Sequence, residues 1–167
     1  MRLVRALLLL AAIAVLGAGC AAEDKAAANT TNHVEALDAA FVPATLLGYA
    51  LEPEKTEGLG DVTRSHVEAV RLFSLRDGDQ LVATLQVGRF VAGVEWNTRS
   101  FQRGVLNQIG ASAPNPIRLG EDTVFVTAGV KQRLAVWFRD GYLFVLGTRD
   151  EFTRPRSLLR EALEVKP

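Results

Sequence analysis

The sequence predicts an α+β protein: a single antiparallel sheet of about six strands with two helices packed on one face, preceded by a signal peptide and a flexible tether. Asp-Gly pairs at 77–78 and 140–141 each separate two apolar runs, which is the pattern of a β-hairpin. Stretches near 98–109 and 153–163 have the apolar spacing of amphipathic helices. With 167 residues, the chain has room for one domain of ordinary size.

The first predicted hairpin joins strands at 67–75 and 80–90. A turn that pairs Leu75 with Gln80 would place Phe73 opposite Val82. One face of this hairpin would then be apolar and the other mostly polar. We therefore expect it to bury one side and to expose most of the other.

The second predicted hairpin, 133–139 and 142–148, is apolar on both faces if Arg139 pairs with Tyr142. Such strands are either central and covered on both sides, or they display an aromatic surface to a partner. The surface in question consists of Trp137, Tyr142, Phe144 and Leu146. These residues are either core, covered by residues 34–60, or the wall of an apolar groove for an acyl chain or a partner's hydrophobic segment.

The remaining helices and strands are predicted from helix-capping residues, from proline and glycine as helix and strand breakers, and from the spacing of apolar residues. They are a helical segment at 34–42, strands at 45–51 and 123–128, a helix capped by Asn97 or Thr98, and a last helix capped by Thr153 with Pro155 in its first turn. Residues 111–116 are predicted to be a turn-rich link.

The N-terminus has the three parts of a secretory signal. Arg2 and Arg5 make a positive start, residues 6–16 are an uninterrupted apolar run of 11, and small residues follow. This run is too short for a membrane span, which needs about 20 apolar residues.

The segment Leu16-Gly17-Ala18-Gly19-Cys20 resembles the lipobox of bacterial lipoprotein precursors. The resemblance implies cleavage before Cys20 and a diacylglyceryl thioether on its sulfur. Gly17 stands where the family usually has an aliphatic residue, so the alternative is ordinary signal peptidase cleavage that leaves a free thiol. Ala21 is not the aspartate of an inner-membrane retention signal, which implies outer-membrane delivery if the organism has two membranes.

These patterns divide the chain into a signal peptide at 1–19, the lipidated Cys20 with a tether to residue 36, and one α+β domain at 37–167. The tether is small, polar and without apolar periodicity. We therefore expect the lipid on Cys20 to anchor the domain to the cell membrane on its extracytoplasmic side.

Composition excludes several chemistries. One cysteine and two histidines, His33 and His66, cannot build a disulfide or a cysteine-rich zinc site. A formal net charge of zero argues against nucleic acid as a partner. His66 beside Ser65 is expected to be an ordinary strand-edge residue, because neighbours on a strand point to opposite faces. The 77–79 segment is expected to be a turn rather than a calcium site.

The arginines near the two helices are expected to be solvated: Arg99, Arg103, Arg154, Arg156 and Arg160. The sequence thus predicts a lipoprotein that is not an enzyme and that uses neither a metal nor a cofactor. Its domain is expected to bind a partner in the cell envelope. The alternative is a carrier or sensor of a small apolar ligand such as a lipid.

Overall fold

A computed structural model describes residues 35–54, 66–111, 113–129 and 132–167. The predicted signal peptide, Cys20 and nearly all of the tether lie outside these residues. Within the described part of the chain, no helix is both long enough and apolar enough to span a membrane.

The described residues form nine strands and two helices. In chain order these are β1 (Glu35–Ala36), β2 (Thr45–Leu46), β3 (Tyr49–Glu54), β4 (Val67–Asp77), β5 (Gln80–Phe90), α1 (Arg99–Gln108), β6 (Asn115–Leu119), β7 (Asp122–Gly129), β8 (Gln132–Arg139), β9 (Tyr142–Arg149) and α2 (Pro155–Ala162). Eight strands build an antiparallel sheet in the order β2-β3-β4-β5-β9-β8-β7-β6, and β1 adds a short parallel ladder beside β4. The predicted class, an antiparallel sheet with two helices, is confirmed.

The additional strands come from two short hairpins and from β1. The strand expected at 45–51 is divided into β2 and β3 by a turn at Leu47 and Gly48, whose φ angles of 53° and 82° suit a tight hairpin turn. Strand β6 begins inside the segment expected to be a link. Residues 35–42 form β1 and irregular turns, not the expected helix, and Leu37 is buried in the core.

The first hairpin has a different register from the expected one. Asp77, not Leu75, pairs with Gln80, which moves the register by two residues. An irregularity between Leu75 and Arg76 moves it by one more, so that Phe73 lies opposite Leu85 instead of Val82. One extra residue in a strand moves every following side chain to the other face. The expected division of this hairpin into faces was therefore wrong.

The second hairpin has the predicted register. Arg139 pairs with Tyr142, and Trp137 lies opposite Phe144. Strand β9 lies between β5 and β8, in the interior of the sheet. Its apolar residues on both faces suit this central position, because both sides need to be covered.

The two helices pack on opposite faces of the sheet, where the sequence had suggested a single face. Neighbouring residues of β8 point in opposite directions. Trp137 packs in the core cluster that contains Leu158 of α2, whereas Phe138 packs in the cluster that contains Val105 of α1. We call these two sides the α2 face and the α1 face.

The two helices begin differently. The hydroxyl of Thr98 accepts a hydrogen bond from the Phe101 backbone N–H at 3.4 Å, which confirms one of the two predicted caps of α1. Helix α2 has Arg154 at its cap position instead of the expected Thr153, and no side chain caps it. Pro155 occupies the first turn of α2, as predicted.

Candidate functional site

The aromatic surface predicted on the second hairpin is mostly core. Trp137 and Phe144 are 0% exposed, and their rings stack with centroids 5.0 Å apart. Tyr142 is half-buried and meets the ring of Phe41 edge-on at 5.5 Å. Of the two alternatives, the structure places Trp137 and Phe144 in the interior, so they do not wall an open groove.

Leu146 differs from these residues, because it lies in the floor of a groove on the α2 face. The groove has a volume of about 340 Å³. Strands β6 to β9 supply its floor and the first turns of α2 supply one wall. It is lined by Asn115, Ile117, Val126, Arg133, Leu134, Ala135, Leu146, Thr148, Pro155, Arg156 and Leu159.

The floor of the groove follows one cross-strand row. Asn115 pairs with Val126, Val126 with Ala135, and Ala135 with Leu146, so four side chains from four neighbouring strands stand side by side on one face. At about 4.8 Å between strands, this row extends roughly 14 Å. The small Ala135 side chain in the middle makes the row concave, and Ile117 flanks it.

The mouth of the groove carries positive charge. Arg133 and Arg156 are exposed at its rim, and among the described residues no acidic side chain lines it. Arg133 Nε lies 3.8 Å from Asp150 Oδ1, with both side chains more than half exposed, so this pair is weak. The N-terminus of α2, which no side chain caps, adds the positive end of the helix dipole.

A second cleft, of about 580 Å³, is larger but polar. Its central residue, Arg139, donates from Nη1 to the carbonyl oxygens of Leu163 and Val165 at 2.8 and 2.9 Å, just beyond the end of α2. The same guanidinium forms a fork with the carboxylate of Asp122. These groups neutralise one another and hold the end of α2 against the sheet. The rest of the lining is also of mixed charge, with Glu121, Asp140 and Glu164 beside Arg160 and Lys166.

The other residues considered in the sequence do not form a reactive cluster. The ring of His66 meets Phe101 edge-on, with centroids 5.2 Å apart, just before β4 begins. Gly78 and Asp79 form the turn of the first hairpin, with Gly78 at a φ of 58°. Among the described residues, no three potential metal ligands lie together.

The surface ion pair of Arg89 and Glu68 shifts the pKa of the arginine. The hydrogen bond from Arg89 Nε to the carboxylate of Glu68 raises the pKa of Arg89 above its ordinary value. A raised pKa favours the folded state while the group stays protonated, and this contribution is lost only at strongly alkaline pH. The pair therefore adds no pH dependence near neutrality.

Comparison with known protein families, with characterised proteins and with solved structures finds no match for this chain. The groove is therefore interpreted from its own geometry. Sequence reasoning identified Leu146 but missed Ile117, Val126 and Ala135. Val126 and Ala135 lie in the continuous apolar runs 124–126 and 134–138, which do not show by themselves which residues share a face. The row becomes readable only after β6 is recognised as a strand and the register of all four strands is known.

Proposed function

We propose that this chain is a lipid-anchored bacterial envelope protein whose folded domain binds another envelope component and performs no reaction. The observation that supports the anchor is the segment Leu16-Gly17-Ala18-Gly19-Cys20, which resembles a lipobox and contains the sole cysteine of the chain. The observation that supports binding is the apolar groove with a basic rim on the α2 face. Apolar floors with a few placed polar groups are typical of ligand sites.

The energetics of acyl chains make such an anchor sufficient. Each buried methylene contributes about 0.8 kcal/mol, so that one chain holds a protein only marginally and two chains hold it stably. A diacylglyceryl group on Cys20 supplies two chains. The composition of residues 21–34 suits a tether that separates the domain from the bilayer by about 20 Å.

The anchor also determines the location of the domain. A cleaved signal peptide with a lipid at the new N-terminus leaves the domain on the extracytoplasmic side of the cell membrane. With Ala21 after the cysteine in place of a retention aspartate, an organism with two membranes would deliver the protein to the outer one.

Metabolic labelling with an alkyne fatty acid tests the anchor. The wild-type chain is expected to incorporate the label and to fractionate with membranes, and Cys20→Ser is expected to lose both properties. As a matched control, Cys20→Ser combined with Ser100→Cys restores a thiol at an exposed position of α1 and should stay unlabelled. An unlabelled wild type, or label retained by Cys20→Ser, contradicts the proposal.

A second candidate function is transport or sensing of a small apolar ligand, and the groove favours it. The half-buried side chains of Ile117, Val126 and Pro155 leave apolar surface open to solvent. Native mass spectrometry of the purified lipoprotein tests this function. A co-purified molecule of fixed mass supports it, and its absence at every stage of a mild purification contradicts it.

A further inference from the structure

The groove on the α2 face combines an apolar floor with a basic rim. Its floor, from Val126 through Ala135 to Leu146, is a continuous apolar row across three strands. Its rim carries two arginines and no acidic lining residue among the described part of the chain. A ligand that satisfies both features has a hydrocarbon portion and an anionic group.

We propose that this groove binds a medium-chain fatty acid, with its carboxylate between Arg133 and Arg156 and its tail along the row from Leu146 to Val126. This inference deepens the binding role proposed above by naming its site and its ligand class. It does not depend on the lipid anchor.

The arginines suit a carboxylate for geometric reasons. A guanidinium presents parallel N–H donors that match the two oxygens of a carboxylate, and such charge-assisted hydrogen bonds are stronger than neutral ones. The loose contact of Arg133 with Asp150 leaves this arginine free to turn toward a ligand. Arg156 lies in the first turn of α2, where the helix dipole also favours negative charge.

The size of the groove favours a single acyl chain. Its volume of about 340 Å³ is near the lower end of the range for small-molecule sites. A fatty alcohol would fill the floor but would leave both arginines without an anion. A sugar phosphate would engage the arginines but would leave Ile117 and Val126 in contact with water.

Photo-crosslinking tests this proposal on the full-length chain. The protein is reconstituted in phosphatidylcholine vesicles and illuminated with a diazirine derivative of laurate. We expect light-dependent label on peptides that contain Val126, Ala135 or Leu159. Excess laurate should compete for this label, whereas lauryl alcohol at the same concentration should compete at least about tenfold less well, because it lacks the charge-assisted hydrogen bonds.

Two variants separate the rim from the floor. Arg133→Gln combined with Arg156→Gln should reduce the labelling of these peptides about tenfold or more. The matched control, Arg103→Gln combined with Arg160→Gln, removes the same charge from exposed positions outside the groove and should leave labelling unchanged. Ala135→Leu, which fills the floor and keeps the charges, should also reduce labelling. Thermal unfolding verifies that each variant is folded.

Three results would overturn the proposal: labelling spread evenly over the domain, equal competition by laurate and lauryl alcohol, or full labelling of the folded rim variant. None of them bears on Cys20. The anchor is judged by metabolic labelling alone, so the two proposals fail separately. Should the groove fail while native mass spectrometry reveals another bound molecule, the binding role survives with a different ligand.

Discussion

The two faces of the sheet are covered in different ways, although alternating residues of the same strands build both. On the α1 face, rings interlock under a ten-residue helix: Phe90 contacts Phe101 edge-on at 5.2 Å and is stacked with Phe138 at 6.1 Å. On the α2 face, an eight-residue helix and residues 37–51 share the cover. The groove lies on this second face, beside the N-terminal turn of the shorter helix.

This difference shows that a candidate binding site can arise without a sequence motif, where an apolar sheet face is only partly covered by helices and loops. The α2 face holds the largest buried side chains, Trp137 and Phe144, near the middle of the sheet. Toward β6 the cover thins, and Ile117 and Val126 are only half-buried although they point to the same side. An apolar row that continues past its cover leaves a surface that a ligand can complete.

The largest expected effects come from truncating Trp137 and Phe138, which are neighbours on β8 and point to opposite faces of the sheet. Trp137→Ala opens a cavity on the α2 face and Phe138→Ala opens one on the α1 face, and such truncations cost about 3 to 5 kcal/mol. We expect Trp137→Ala to cost more, because Trp137 is larger and 0% exposed whereas Phe138 is 9% exposed. Urea unfolding of both variants measures the two free energies.

The exposed Val91 provides a control, since Val91→Ala should change the unfolding free energy by less than about 0.5 kcal/mol. If Phe138→Ala were the more costly variant, the α1 face would be the main core and the comparison would be reversed. Trp137 Nε1 has no hydrogen-bond partner within the described residues, so its position depends on packing. Trp137→Phe should therefore retain more stability than Trp137→Ala.

The next test concerns the clamp that holds the C-terminal end of α2. Arg139→Ala removes the fork to Asp122 and two hydrogen bonds to the carbonyls that follow α2, and it leaves a largely buried carboxylate unpaired. We expect a loss of about 3 kcal/mol in unfolding free energy. Hydrogen exchange should increase in α2 and stay unchanged in α1.

Two further variants sharpen this result. Arg139→Lys keeps the charge but cannot form the fork, so it should recover only part of the loss. Arg160→Ala removes an exposed arginine of the same helix and should have little effect. Equal exchange in both helices of Arg139→Ala would show that the two faces do not open independently.

The sequence was sufficient where one strand pair determined its own register. The Asp-Gly turn at Asp140 and Gly141 has φ angles of 50° and 81°, and it sets the pairing of β8 with β9 as predicted. The cap of α1 by Thr98 was equally local. These predictions needed only residues that are neighbours along the chain.

The sequence was insufficient where the outcome depended on contacts between distant segments. Strand β6 is short and begins Asn115-Pro116, which is a turn signal in isolation, and only its pairing with β7 makes it a strand. The second hairpin is apolar on both sides and needs cover on each, but only the packing of α1 and α2 against opposite faces shows that each helix covers one side. The groove requires all of these pairings together, so only its member Leu146 was anticipated.

The smallest test compares the beginnings of the two helices. Thr98→Ala removes the hydroxyl that accepts from the Phe101 N–H, and loss of such a cap costs about 1 kcal/mol. Thr98→Ser keeps the hydroxyl and should retain most of the stability. Helix α2 has no cap to lose, so Thr153→Ala should leave the unfolding free energy within about 0.5 kcal/mol of the wild type. A large loss from Thr153→Ala would mean that the N-terminus of α2 is satisfied within the chain, and that end of the helix would then have no free donors to offer a carboxylate in the groove.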